Sequence, residues 1–332
     1  MKKILGKNEF YVFLIVLALC LLVQLRSGQF FTSNNIVDIV RSMVVPGMFA
    51  IGVFLVILSG GIDVSFTALA ALSGYAATRI FIGLNYEGPV IIPFIVAALF
   101  GFILGAFNGF LISKFKISTL IITLGTASAF RGIMQGALNA TEFPTIPKPM
   151  VAFGEASLFI AKNPTSGLTS KMPATVLILI GMLIIAFFII KYTIWGRGIY
   201  AIGGNENSAI SAGFGVKKIQ FFIYCFVGMI AGIAGMTRVV MMERLQPTNL
   251  LGMELTVIAA VVLGGTRISG GIGTLIGTIL GISLFSIMEN SLILLGIPSY
   301  WQLFFVGLLI IIGTSISAFQ SKLGMNKLLA NG

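Results

Sequence analysis

Long apolar stretches recur along the whole chain, separated by short segments that carry glycine, proline or a few charges. A helix needs about 20 mostly apolar residues to cross the hydrocarbon layer of a bilayer. The pattern therefore predicts an all-α polytopic membrane protein with about ten transmembrane helices. The predicted spans cover residues 10–26, 38–58, 64–83, 89–113, 118–138, 173–193, 218–241, 252–266, 271–293 and 300–318.

The composition supports a membrane location for the whole chain. Of the 332 residues, 57% are hydrophobic and 9% are charged, and the mean hydropathy is +1.06. A soluble domain carries about 25% charged residues, because its surface must face water. Residues 1–332 are therefore predicted to form a single transmembrane domain.

Two apolar regions are longer than one span, and glycines interrupt each of them, at "LSGGIDVS" (58–65) and at "VVLGGTRISGGIGTLIG" (261–277). Helix breaks at comparable positions of two halves are typical of transporters, in which irregular backbone lines a cavity. The alternative is that these glycines serve only close helix contact, for which the spacing of residues 273, 277 and 281 is typical. The residues predicted at the pathway or at a helix break are Gly60, Gly61, Asp63, Ser65, Asn108, Gly264, Gly265, Gly270 and Gly271.

Polar side chains near the spans allow more than one interpretation. An ionisable group inside a membrane is costly, so it is by default a functional candidate. Asp63 fits that description, but Asp63 or Ser65 is equally suited to cap the helix that follows. Asn108 is suited either to bind a polyol or to hold two helices together. Glu254 is expected in water, at the outer end of a span.

The distribution of Lys and Arg predicts the orientation, since cytoplasmic loops collect basic residues. With the N-terminus inside, more than half of the basic residues fall on inner segments, including Lys2, Lys3, Lys322 and Lys327. Both termini are therefore predicted to be cytoplasmic. Residues 139–172 become an outer loop, predicted to be irregular or to contain a short interfacial helix.

The inner loop, residues 194–217, contains a short helical pattern at Glu206–Ala212 between glycine pairs. Asn205 is a good N-cap residue, and Glu206 suits the first turn of a helix. The pattern predicts a helix of about two turns on the cytoplasmic face. Its function is either to contact a partner or simply to connect two spans.

Several classes of site are excluded by residue type. The spacing of Gly265 and Gly270 matches a phosphate-binding loop, but Gly271 and Ile272 stand where that loop needs Lys and Ser or Thr. Histidine is absent, and both cysteines lie in apolar runs. We therefore expect no ATP hydrolysis, no metal site, no bound cofactor and no enzymatic activity in this chain, and no nucleic-acid partner.

Four segments together carry a family resemblance: "VILSGGIDVS" (56–65), "AIGGNENSAISAGFGVKKI" (201–219), "QPTNLLGMELTVIAAVVLGGTRISGGIGTLIGTILG" (246–281) and "ENSLILLGIPSYWQ" (289–302). In this order they resemble the permease of bacterial ABC sugar importers of the ribose/xylose/galactose type. The resemblance implies a multi-pass protein of the bacterial cytoplasmic membrane, surrounded by lipid. It also implies a second permease, two ATPase subunits that bind ATP and Mg, and a periplasmic or lipid-anchored binding protein.

In that family the short inner helix is the coupling helix that docks into the ATPase. The resemblance assigns this role to Asn205, Glu206, Asn207, Ser208, Ala209, Ser211 and Gly213. One segment departs from the family pattern, because "FTALAALSG" follows Ser65 where Val-Gly-Ser is usual. This leaves open whether the chain pairs with a copy of itself or with a related permease.

The residues and the resemblance together predict the permease subunit of an ATP-driven importer for a sugar or a related small polar solute. A nucleoside or a signalling furanose is an alternative substrate. An ion-coupled secondary transporter is a second alternative, but it needs carboxylates or histidines inside the membrane, and Asp63 is the one available.

Overall fold

The computed structural model describes residues 8–164 and 167–311. These residues are mostly helical. The helices are α1 Asn8–Ser27, α2 Ser33–Leu58, α3 Phe66–Gly83, α4 Ile91–Phe115, α5 Thr119–Gly136, α6 Lys148–Glu155, α7 Val176–Tyr192, α8 Ile194–Gly204, α9 Glu206–Ser211, α10 Val216–Met242, α11 Glu254–Leu263, α12 Leu275–Leu294 and α13 Gln302–Ile311. A 3₁₀ turn at Ser299–Trp301 precedes α13.

The helix α10 lies at the centre and packs against α2, α3 and α4. Its contact with α4 is the most extensive, because glycines on both helices let the backbones touch. A Cβ atom at Gly228 would lie 2.8 Å from Cα of Gly105, and one at Gly101 would lie 3.0 Å from Cα of Gly232. These two helices are therefore held by backbone contact rather than by interlocking large side chains.

Residues 139–172, the predicted outer loop, contain a β-hairpin that was not predicted from the sequence. Strands β1 (Ser157–Lys162) and β2 (Thr169–Pro173) pair antiparallel directly after α6. Exposed apolar side chains of β1 and polar side chains of β2 make the pattern too irregular to identify from sequence. The prediction of a short helix in residues 139–172 is confirmed by α6, whereas the prediction of an all-α fold is wrong at the hairpin.

The hairpin and the short helix α9 lie at opposite ends of the helical bundle. Ser170 of β2 donates a hydrogen bond of 2.9 Å to Asp38, near the beginning of α2. The last residue of α2, Leu58, instead lies beside the segment that leads into α9. We call these the hairpin end and the α9 end.

Six of the described helices are long and apolar enough to cross a membrane: α1, α2, α3, α4, α10 and α12. The helices α7 and α8 form a seventh span if they are counted together, although the chain bends by 72° between them. The predicted span 252–266 is shorter than expected, since α11 has 10 residues. The inner loop is also more helical than predicted, because α8 occupies its first half. The lysines at 2, 3, 7, 322 and 327 and residues 312–318 of the predicted span 300–318 lie outside the described residues.

Candidate functional site

The first glycine break leaves α2 at Leu58 and begins α3 at Phe66. The connecting residues are held by polar side chains from other helices. Thr119 accepts a hydrogen bond of 2.9 Å from the N–H of Ile62, and Thr123 accepts one of 3.3 Å from the N–H of Val64. Both threonines belong to α5, so the irregular backbone is fixed against a neighbouring helix, as irregular backbone inside a membrane protein requires.

Asp63 and Ser65 lie at the end of this first break, and although Ser65 holds the N-cap position of α3, neither side chain caps the helix. Instead, one carboxylate oxygen of Asp63 accepts hydrogen bonds of 2.7 Å from both the N–H and the hydroxyl of Ser65. Asn108, on α4, donates a hydrogen bond of 2.9 Å to the Ser65 hydroxyl. All three side chains are buried. Asn108 therefore joins α4 to the first break.

The second break runs from Gly264 to Thr274, between α11 and α12. The N–H of Arg267 donates a hydrogen bond of 2.8 Å to the carbonyl of Ile272, which closes a tight turn. Gly270 and Gly271 have φ values of +86° and +75°, in a region where side chains with a Cβ atom are strained. Arg267 is exposed at the tip of the turn. The helix α12 then starts at Thr274, whose hydroxyl accepts a hydrogen bond of 3.0 Å from the N–H of Gly277.

The two breaks meet each other at the α9 end of the bundle. The N–H of Gly271 donates a hydrogen bond of 2.9 Å to the carbonyl of Leu58. A Cβ atom at Gly270 would lie 2.7 Å from the backbone nitrogen of Gly60. Glycine is therefore required here for backbone contact between segments that are more than 200 residues apart in sequence.

A third segment, the end of α8, enters the same contact. A Cβ atom at Gly203 would overlap the carbonyl oxygen of Leu58, and one at Gly270 would lie 2.8 Å from Cα of Gly203. The Tyr200 hydroxyl, one turn earlier, donates a hydrogen bond of 2.9 Å to the carbonyl of Gly273. We call the meeting point of Leu58–Gly60, Gly203–Gly204 and Gly270–Gly273 the glycine junction.

The short helix α9 begins directly beyond the glycine junction. Asn205 caps it as predicted, since its side-chain oxygen accepts a hydrogen bond of 2.9 Å from the N–H of Ser208. Ala209 is buried against the bundle. The other residues predicted for coupling are exposed: Asn205, Glu206, Asn207, Ser208, Ser211 and Gly213. The helix thus presents a polar surface away from the bundle and is joined through a single residue, Asn205, to α8.

The remaining predicted glycines lie beside the junction. Gly61 is next to the Tyr224 side chain, whose hydroxyl oxygen would be 3.2 Å from a Cβ atom at Gly61. Gly264 touches the backbone of α12, where a Cβ atom would be 2.9 Å from the nitrogen of Thr278, and Gly265 has a φ of +96°. The glycines of the second break therefore serve close helix contact and the turn itself.

Sequence reasoning missed an ion pair between α5 and the start of α11. Glu254, expected in water, is instead 9% exposed. Its carboxylate binds Arg131 of α5 at 2.6 Å and also accepts hydrogen bonds from the Thr67 hydroxyl and, at 2.8 Å, from the N–H of Gly252. Thr67 belongs to the segment that departs from the usual family pattern. Because Arg131 and Thr67 are far from Glu254 in the sequence, no local sequence pattern predicts these contacts.

A search of the described residues for a group of three or more His, Cys, Asp or Glu side chains that could hold a metal ion finds none. The polar groups that the fold brings together are thus backbone amides, hydroxyls, one amide side chain and single carboxylates.

Comparisons with known proteins agree with this geometry. The family described as branched-chain amino acid transport system / permease component matches residues 35–313. The ribose import permease protein RbsC of Escherichia coli (strain K12) is 33% identical over 302 residues, which cover 91% of each chain. The ribose import permease protein RbsC of Bacillus subtilis (strain 168) is 34% identical over 310 residues, covering 93% of this chain and 92% of the relative.

Other relatives carry the names of other sugars. The D-allose transport system permease protein AlsC of Escherichia coli (strain K12) is 31% identical over 93% of this chain and 91% of its own length. No solved structure matches. The family resemblance seen in the four sequence segments is thereby confirmed. The described residues contain six or seven helices that are long and apolar enough to cross a membrane. The chain belongs to this family of transport-system permeases and is a multi-pass membrane protein.

Proposed function

We propose that this chain is the permease subunit of an ATP-driven importer in the bacterial cytoplasmic membrane, and that the importer carries a sugar or a related small polar solute. The chain itself binds no cofactor. Two partner ATPase subunits bind ATP and Mg, and a periplasmic or lipid-anchored binding protein delivers the substrate. The relatives named for ribose, allose and xylose support a sugar as the substrate.

The observation that carries the proposal is the glycine junction. The exposed helix α9 follows Asn205, which comes directly after the glycine pair at the end of α8. The first glycine of that pair, Gly203, touches both glycine breaks. A force applied to α9 from the cytoplasm would therefore reach the ends of α2 and α11 and the start of α12 directly. Packed interiors transmit such displacements because they are dense and barely compressible.

The transport cycle follows from this connection. ATP binding draws the two ATPases together, and each displaces the α9 helix docked on it. The displacement passes through the end of α8 to the two breaks, where irregular backbone lets the helices change their relative tilt. The pathway between two permease subunits then opens to the opposite side. The second permease is a copy of this chain or a related protein, and both arrangements present two α9 helices.

The proposal includes the orientation predicted from the charges. The α9 end and both termini face the cytoplasm, and the hairpin end faces outward, towards the binding protein. It also includes about ten passes, in which α5, α11 and α13 complete the six or seven spans assigned by length and hydropathy. The helix α5 has 18 residues, so it is about 27 Å long. This length nearly matches a bilayer core of about 30 Å.

The decisive experiment uses the purified complex of permease, ATPase and binding protein in proteoliposomes. Deletion of residues 206–212 is expected to abolish ATP-dependent uptake while the binding protein still docks at the outer side. The matched variant is Asn207→Ala, which keeps the helix and its cap. Uptake that stays coupled to ATP hydrolysis in the deletion variant overturns the proposal. Uptake that needs no ATPase identifies an ion-coupled transporter. Assays of the binding protein with ribose, a nucleoside and a furanose signal identify the substrate.

A further inference from the structure

A buried carboxylate without a counter-ion lies in the first break. Asp63 is 2% exposed. The ion pairs of the described residues join Arg131 to Glu254 and Lys148 to Glu87, so neither of them involves Asp63. The two hydrogen bonds from Ser65 reach the same oxygen, Oδ1. A buried carboxylate in a protein is protonated, is paired with an opposite charge or coordinates a metal ion, and no ion pair of the described residues supplies a counter-charge to Asp63.

Two further buried polar atoms beside Asp63 also lack a partner within the described part of the chain. One is the side-chain oxygen of Asn108, a residue that is 0% exposed and whose amide nitrogen is used by Ser65. The other is the hydroxyl of Tyr224, which is 3% exposed. This hydroxyl lies beside Gly61 and interacts electrostatically with the Asp63 carboxylate. It also approaches Thr119, though without hydrogen-bond geometry.

The side chains of Asp63, Asn108 and Tyr224 offer donor atoms of one chemical class. A carboxylate, an amide carbonyl and a hydroxyl are all hard oxygen donors, which favour alkali and alkaline-earth cations over transition metals. One carboxylate balances one positive charge, whereas calcium sites usually combine several carboxylates. The set therefore fits a monovalent cation.

We propose that Asp63, Asn108 and Tyr224 form a buried binding site for a monovalent metal cation, Na⁺ or K⁺, at the first break. The bound cation links three helices: Asp63 precedes α3, Asn108 belongs to α4 and Tyr224 to α10. It neutralises the Asp63 charge without a proton and keeps Asp63 within the turn that carries Gly60 into the glycine junction. The cation is a structural component and is not moved with the substrate.

The test measures thermal unfolding of the purified permease in detergent, titrated with NaCl, KCl or choline chloride at constant ionic strength. A specific site produces a saturable rise in Tm with Na⁺ or K⁺ that choline does not reproduce, because a ligand that binds only the folded state stabilises it. The Asp63→Asn variant is expected to lose the rise. Tyr224→Phe keeps the carboxylate and is expected to raise the half-saturating concentration about tenfold, as loss of one supporting group does at metal sites.

The matched control is Ser73→Ala. Ser73 is 0% exposed and carries a buried hydroxyl without a partner in the described residues, but it lies on α3, away from the first break. This variant is expected to keep the full cation response. A Tm that responds equally to choline, or that changes with pH but not with Na⁺ or K⁺, overturns the proposal, since a proton then replaces the cation. The measurement needs neither ATPase nor binding protein, so its outcome is independent of the proposed transport function.

Discussion

The N–H of Gly271 donates a hydrogen bond to the carbonyl of Leu58, and this bond of 2.9 Å joins the two broken helices of the chain. The carbonyl belongs to the last residue of α2. The three carbonyls before it accept hydrogen bonds within the turn at 59–61, so the Leu58 carbonyl is the one left to bond another segment. Gly271 thus supplies a bond that the broken helix lacks. The same carbonyl lies against Gly203, so one oxygen is shared by the three segments that move together in the proposed cycle.

Substitution of Gly203 tests the glycine junction directly. Gly203→Ala would place a methyl group on the Leu58 carbonyl and is expected to destabilise the protein by about 1–3 kcal/mol, the usual cost of overpacking. Because the junction must separate to relieve the overlap, ATP-dependent uptake per folded complex should fall as well. Thermal unfolding and uptake in proteoliposomes measure the two effects.

The neighbouring residue provides the control for Gly203. No atom of the described chain lies within 4 Å of where a Cβ atom of Gly204 would be. Gly204→Ala is therefore expected to keep both Tm and uptake close to the values of the unchanged protein. If Gly203→Ala and Gly204→Ala have the same Tm and the same uptake, the backbone contact between Gly203 and Leu58 does not contribute to transport.

The contrast between these two glycines shows which features of the fold can be predicted from the sequence. Local signals predicted the break after Leu58, the glycine break within residues 261–277 and the cap at Asn205, because each depends on residues a few positions apart. The sequence treated Gly203 and Gly204 alike, as one boundary of a short helix. Only the tertiary contact with Leu58, 145 positions away in the sequence, distinguishes them.

The ion pair of Glu254 illustrates a second limit. Its position at the start of an apolar stretch predicts exposure to water, and nothing nearby in sequence indicates Arg131 or Thr67 as partners. The same limit applies to Asn108, for which two roles stayed open until the fold placed its amide on Ser65. Residue type and spacing locate polar groups along a span, but the neighbouring helices decide what those groups bind.

Removal of the Asn205 cap is expected to weaken α9 and its coupling to the ATPase. Asn205→Ala deletes the acceptor for the Ser208 N–H and should cost about 1 kcal/mol of helix stability. Binding-protein-stimulated ATP hydrolysis should decrease, while Tm of the permease changes little because α9 is exposed. Asn205→Ser restores a capping oxygen and should recover most of the stimulation. Equal stimulation in the Ala and Ser variants would argue that cap geometry plays no part in coupling.

Neutralising Glu254 is expected to destabilise the packing of α11 against α3 and α5. Glu254→Gln leaves the Arg131 guanidinium without its counter-charge. The expected cost is about 1–3 kcal/mol, below the ~3–5 kcal/mol for a fully buried pair, since the Arg131 side chain is 38% exposed. Thermal unfolding in detergent measures the loss.

The exposed pair of Lys148 and Glu87 serves as the comparison for Glu254. Its atoms are 3.6 Å apart, and its side chains are 89% and 75% exposed. Glu87→Gln should therefore leave Tm almost unchanged, because exposed pairs contribute about 0–1 kcal/mol. A larger loss from Glu87→Gln than from Glu254→Gln would contradict the burial of the Arg131 pair.

The contact between α4 and α10 predicts a difference between two glycine-to-alanine substitutions within apolar helices. A Cβ atom at Gly228 would press against the Gly101 carbonyl and the Gly105 backbone, so Gly228→Ala must separate two central helices. Gly181, on α7, has no atom within 4 Å of its Cβ position in the described residues. Gly181→Ala should raise stability by up to about 1 kcal/mol through helix propensity, whereas Gly228→Ala should lower it by about 1–3 kcal/mol. Tm measured in the same detergent compares them, and a neutral Gly228→Ala would show that side chains, not backbones, hold α4 against α10.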